Sequence, residues 1–125
     1  MARRIRDPES RERIVDAAAR VVAELGLRGA TVRAIAAEAG VSTGYVMHYF
    51  PDKAALTDAV LDRTNRRAGA RVEAAVRAQD SALASAIEAL LPLDAERRLE
   101  WRVWAAFWTA TPAGGGGPAL VGARN

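Results

Sequence analysis

The sequence has no cysteine, a single histidine (His48) and a single lysine (Lys53). The first absence removes disulfides, zinc–thiolate sites and thiol nucleophiles, and a lone histidine removes multi-histidine metal centres. Nowhere do about eighteen apolar residues follow one another, the length that a membrane helix needs. The charged opening MARRIRDPES is not followed by the apolar run of a secretory signal. The expected compartment is therefore the cytoplasm. Aromatic residues make up only 6% of the chain, and the paired carboxylates or nucleophile–base pairs that catalysis requires are not evident. No enzymatic activity, catalytic residue, metal or cofactor is expected.

What is present is a basic, helix-patterned chain. Of 125 residues 50% are hydrophobic and 26% charged, the balance of a folded soluble protein and not of a disordered one. The length suffices for one well-cored domain, or a small domain with part of a second. The net charge is +3, the pI is about 10.2, and all but one of the 18 basic residues are arginine. Such mild basicity permits a polyanionic partner without requiring one.

Arg3, Arg4 and Arg6 precede any periodic pattern; charge runs are usually solvated, and the functional alternative is an arm on phosphate or in a minor groove. Asp7-Pro8 reads as an N-cap with proline at the first helical position. Ile14, Ala18, Val21, Val22 and Leu25 recur at helical spacing and predict an amphipathic helix over 8–25, closed by Gly26. Thr31 and Ser42 each precede a short helical segment as N-caps, with Gly40 at the turn between them. Ala36 is small enough for close approach, while Val41, Val46 and Phe50 supply apolar knobs, so residues 31–53 read as a helix-turn-helix. Pro51 ends it and Asp52 caps a long helix to about Ala78, with Leu56, Ala59, Val60, Val72, Ala75 and Val76 inward. Ser81 opens a shorter helix that Pro92 stops, and a last one spans about Asp94 to Thr109.

On a helical wheel of residues 42–50, Val46 and Phe50 point into the bundle while Gly44, Tyr45, Met47 and His48 point away. An α-helix fits the major groove, where base edges are distinguishable. Thr43, Tyr45 and His48 offer polar atoms and Met47 an apolar contact for a thymine methyl. Gly44 costs about 1 kcal/mol of helix stability relative to alanine, yet brings the backbone close to a partner. Arg33 is placed to reach guanine. Thr31, Tyr49 and Lys53 suit phosphates, with helix N-terminal amides such as those behind Ser42 assisting. The plainer alternatives are a surface histidine at His48 and ordinary bundle packing for Tyr45 and Tyr49. A second function class, a helical protein-interaction module with a purely structural helix-turn-helix, differs from DNA reading at this outward face.

The stretch TVRAIAAEAGVSTGYVMHYFPDKAAL resembles the DNA-binding segment of the tetracycline-repressor (TetR) family of bacterial regulators. The match covers about residues 9–60 and is carried by TVRAIA, GVS and HYFPDK. The arrangement STG-x-x-x-HYF is similar to the subgroup containing choline-responsive betaine regulators. The resemblance implies that Thr43, Tyr45 and Met47 reach bases, with Arg33, and that Thr31, Tyr49 and Lys53 hold phosphates. At the position of Met47 tyrosine is common in the family. It further implies a sequence-specific transcriptional regulator, a ligand-responsive repressor working as a homodimer on a near-palindromic double-stranded DNA operator, released by a small-molecule effector. Members continue for several more helices, the last two forming the dimer interface, whereas this sequence turns glycine-rich after Thr111.

The resulting expectation is an all-α chain: a three-helix N-terminal helix-turn-helix bundle (1–53), joined by a long helix to a partial helical ligand-binding and dimerisation domain (54–111), and a flexible Gly/Pro-rich tail (112–125). In the last helix Trp101, Trp104 and Trp108 share one face and Leu99, Val103 and Phe107 a neighbouring one, a wide apolar arc expected to be sandwiched between other elements. The tryptophans, with Glu100 as counter-charge, are candidate ligand residues for a cation held by cation–π contacts. Aromatic stripes at helical spacing more often form core.

Overall fold

The computed structural model describes residues 7–78 and 82–110; the arginines of 1–6, the Ser81 cap and the 112–125 tail lie outside them. All described secondary structure is helical: α1 (Pro8–Gly29), α2 (Val32–Ala39), α3 (Thr43–Tyr49), α4 (Lys53–Ala78), α5 (Ala82–Leu90) and α6 (Ala95–Ala110). The helix starts follow local chemistry. The Asp7 carboxylate accepts from the Glu9 amide at 3.3 Å and from Ser10 Oγ at 3.0 Å, with Pro8 inside the first turn. Asp52 and Asp94 accept from the Ala55 and Arg97 amides, both at 2.9 Å, so α4 and α6 are capped in the same way.

Gly26 adopts φ 77°, ψ 176° and breaks α1 where the sequence closes it, after which one further turn runs to Gly29. Leu25, the residue before the kink, is 56% exposed despite its place in the expected stripe. Gly40, at φ 74°, ends α2. There the amide of Val41 bonds the Ala36 carbonyl at 3.0 Å and that of Gly40 the Ala37 carbonyl at 3.2 Å, a Schellman termination that glycine permits without a Cβ penalty.

One apolar cluster joins Ile14, Ala18 and Val22 of α1, Ile35 and Ala36 of α2, Val46 of α3 with its C-cap Phe50, Leu56 and Val60 of α4, and Val103 and Ala106 of α6. It runs across the junction at residue 53, because α6 packs along α1 as α2 does. Truncating one of its fully buried large side chains, such as Ile35 or Leu56, is of the class that costs about 2–5 kcal/mol.

Two expectations about α4 and α6 change. Val76 lies 41% exposed, beyond the last buried residue of α4, Ala68. Helix α6 is not sandwiched: it buries Glu100, Val103 and Ala106, while Trp101 and Trp108 remain 37% and 42% exposed. Among the residues of α5 whose burial is described only Ala89 is buried, and Leu83, Ile87 and Leu90 are exposed. It is held instead by its end. Its carbonyls at Glu88, Ala89 and Leu90 accept from Arg97 Nη1 (3.0 Å), Arg71 Nε (3.2 Å) and Trp101 Nε1 (2.6 Å), so α4 and α6 supply donors to the last carbonyls of α5, of which that of Glu88 also accepts from the Leu91 amide.

Candidate nucleic-acid interface

The outward face of the helix-turn-helix follows from two caps and one small core. Thr31 Oγ1 accepts from the Ala34 amide and Ser42 Oγ from the Tyr45 amide, each at 3.0 Å. Each hydroxyl uses an oxygen lone pair there and keeps its own proton to donate. Val46 and Phe50 are buried, at 0% and 3% exposure, and this orientation leaves Thr43, Gly44, Tyr45, Met47 and His48 exposed on the other side. Thr31, Arg33 and Ser42 are exposed beside them, and Lys53, at the first position of α4, is half-buried. Arg33 pairs with no carboxylate among the described residues.

Tyr49 has a different position from the rest. It is half-buried, and its ring meets those of Tyr45 and His48 edge-on, with centroids 5.5 and 5.1 Å apart. Its phenol oxygen accepts from the Asp7 amide at 3.0 Å, tying α3 to the start of α1. That donated hydrogen bond is the chief reason the phenol titrates below its ordinary range. The hydroxyl proton is still able to be donated to a phosphate. Below the face, Arg11 lies over the Phe50 ring at 4.9 Å.

A Cβ built on Gly44 would meet only Ser42 Oγ, at 3.9 Å. Nothing inside the protein therefore requires glycine, although it weakens a helix.

Sequence reasoning missed the ion pairs that tie the helices together. Arg63 is only 7% exposed and its Nη1 bonds Asp16, and Glu12 at 3.3 Å, on α1; its Nε is buried without a partner. Arg63 follows Leu56 and Val60 at helical spacing, opposite carboxylates four apart on α1, so a charge on an apolar stripe was the readable signal. The second is Arg71 with Glu100, joined through Nη1 and Nη2 of the guanidinium. Glu100 is 6% exposed and its carboxylate is spent on Arg71, which removes it as a counter-charge for a ligand. The tryptophans do gather, Trp101 meeting Trp104 and Trp108 edge-on with centroids 5.5 and 6.3 Å apart. Two of their N–H groups are spent within the protein, Trp101 on Leu90 and Trp104 on Asn65 Oδ1 at 2.8 Å.

Fold and face together define a helix-turn-helix protein carried on an all-helical scaffold. Residues 14–60 match the family model described as bacterial regulatory proteins, tetR family. Residues 14–60 thus form a domain of that tetR regulatory-protein family. It is 31% identical over 109 residues to the HTH-type transcriptional regulator BetI of Serratia proteamaculans, covering 83% of this chain and 55% of that protein. Over 104 residues it is 34% identical to BetI of Paraburkholderia phytofirmans, 79% of this chain and 53% of that one. Among solved structures, a transcriptional regulator from Rhodococcus sp. Rha1 superposes with a TM-score of 0.74 at 39% identity, over 92% of this chain and 61% of that one. The multidrug binding protein EbrR, complexed with imidazole, gives 0.64 at 36%, over 80% and 57%. The chain spans about half the length of the curated relatives it matches. Among the described residues no helix is long and apolar enough to cross a membrane, and no His/Asp/Glu group is arranged to hold a metal ion.

Proposed function

We propose that the chain is a sequence-specific DNA-binding transcriptional regulator, acting in the cytoplasm as a repressor, whose α3 enters the major groove. The observation that carries this reading is Gly44: an exposed glycine in the first turn of a seven-residue helix, where a side chain would meet only Ser42 Oγ, at 3.9 Å. A helix that only had to fold gains from alanine there. A helix whose backbone must approach a second molecule does not. Around it Thr43, Tyr45, Met47 and His48 are exposed and suited to base edges, with Arg33 beside them for guanine. Thr31, Ser42, Tyr49 and Lys53 border the face as phosphate contacts.

The family resemblance supports two copies on a near-palindromic operator and a small-molecule effector. An open cleft of about 470 Å³ between α4 and α5, lined by Arg71, Ala75, Ser85, Glu88, Leu93 and Arg97, is within the size range of ligand sites. It suits that effector better than the surface of Trp101, Trp104 and Trp108 with the neutralised Glu100.

The test is a duplex titration across salt. Lys53→Ala is expected to weaken binding to all sequences and to shallow the dependence of log affinity on log salt by about one unit, whereas Arg33→Ala relaxes preference at one base pair. Unchanged affinities for both variants would remove the assignment, and capture of a protein partner through Tyr45 without DNA would favour an interaction module instead.

A further inference from the structure

Two arginines in the wall of the α4–α5 cleft give it the look of an anion site, and their hydrogen bonds point the other way. Arg71 donates through Nη1 and Nη2 to the Glu100 carboxylate and through Nε to the Ala89 carbonyl. Arg97 donates through Nε and Nη2 to Asp94 and through Nη1 to the Glu88 carbonyl. Both guanidinium groups are thus committed to the protein. The Glu100 hydrogen bond, and with it the charges of Glu100, Glu96 and Asp94, hold Arg71 above its ordinary range against its partial burial. With the exposed Glu88 on the cleft wall, four carboxylates stand about two guanidinium groups. The field left over in the cleft is negative.

The uncommitted polar side chains of the wall are acceptors. Ser85 and Glu88 lie three residues apart on α5 and so share a face. Among the described residues neither the Ser85 hydroxyl nor the Glu88 carboxylate has a hydrogen-bond or ion-pair partner. Ala75, Ala89 and Leu93 make the rest of the wall apolar. No aromatic side chain lines it among the described residues, so it offers no π face to a quaternary ammonium group. A primary ammonium differs in having three N–H donors, which a carboxylate and a hydroxyl one turn apart can accept.

We propose that the cleft takes a protonated primary amine with an apolar body, that Glu88 is its counter-charge and Ser85 its second acceptor, and that Arg71 and Arg97 build the wall without binding the ligand. The proposal rests on the reading of this cleft as the effector site and names the chemistry of that effector.

The experiment follows backbone amide shifts of the full chain by NMR during titration with hexylamine, hexyltrimethylammonium and hexanoate, which share one alkyl body and differ in the head group. Hexylamine is expected to shift residues 71–75 and 85–93 and to bind about fivefold or more tightly than hexyltrimethylammonium, the loss expected when hydrogen bonds to a charged group are removed. Hexanoate is expected to leave those residues unmoved. Glu88→Gln, a change at an exposed position, should weaken hexylamine by a similar factor. Hexanoate moving the cleft residues in place of hexylamine overturns the proposal in favour of an anion and keeps the cleft as a binding site. Equal binding of the two cations, or hexylamine binding unaltered by Glu88→Gln, overturns the recognition of N–H donors by Glu88. No shift with any of the three overturns the proposal outright. The effector reading is tested separately, by duplex affinity with and without hexylamine: an amine seated in the cleft with duplex affinity unchanged removes that reading and leaves the amine site standing.

Discussion

The indole N–H of Trp101 donates to the backbone carbonyl of Leu90 at 2.6 Å, placing an aromatic of α6 as the cap of α5. With Arg71 and Arg97 on the two preceding carbonyls, α5 is fixed by hydrogen bonds at its end and not by burial of its leucines. Trp101→Phe keeps an aromatic ring, smaller than the indole, and deletes the donor. The expected cost is about 1 kcal/mol, seen as faster amide exchange confined to residues 86–90. Exchange unchanged there would show that the contact carries no weight.

The Arg71–Glu100 pair should behave as a buried ion pair softened by the partial exposure of its arginine, at 27% of the side chain against 7% for the carboxylate. Glu100→Ala strands the guanidinium and is expected to lower stability by about 2 kcal/mol, below the range for fully buried pairs because solvent screens Arg71. Urea denaturation measures it. Arg71→Met with Glu100→Leu should recover much of the loss, since an apolar pair of similar size avoids the desolvation cost.

Asp94 gives a pH dependence with a defined sign. Hydrogen bonds from the Arg97 side chain and then its amide lower the Asp94 carboxyl from 3.8 to about 2. A depressed folded pKa contributes stability above the unfolded value that is lost as pH falls through the folded one, so the α6 cap should weaken between about pH 4 and pH 2. Asp94→Asn should flatten the acid limb of the melting temperature across that window; an unaltered limb would show that other carboxylates set it.

Gly44→Ala separates folding from recognition. The added methyl meets only Ser42 Oγ at 3.9 Å, so the variant should gain up to about 1 kcal/mol of stability while binding duplex at least tenfold more weakly. Thermal melts and a titration on the same sample report both. A stabilised variant with full affinity would mean that the α3 backbone stays away from the groove.

Much of this protein is legible in its sequence because its helix starts and stops are local chemistry. Asp7-Pro8, Thr31, Gly40, Ser42 and Asp52 each act within a few residues of themselves, and each does so in the structure. The outward face of α3 was legible for the same reason, since Val46 and Phe50 fix its rotation. What was not legible depends on partners far along the chain. No local pattern shows that Glu100 faces Arg71 or that Tyr49 meets Asp7. The apolar arc of α6 was misread because periodicity counts apolar residues without showing what covers them, and α1 covers only the side bearing Val103 and Ala106.

The central claim is that the outward face of α3 reads base sequence. Selection of bound duplexes from a random pool tests it most directly, carried out in parallel with the full chain and with Tyr45→Ala. The account predicts an enriched motif for the unaltered chain, arranged as inverted half-sites about one helical turn apart if two copies bind together, and a relaxed motif for Tyr45→Ala. A pool with no enriched sequence, or the same motif at the same strength for both proteins, would contradict it.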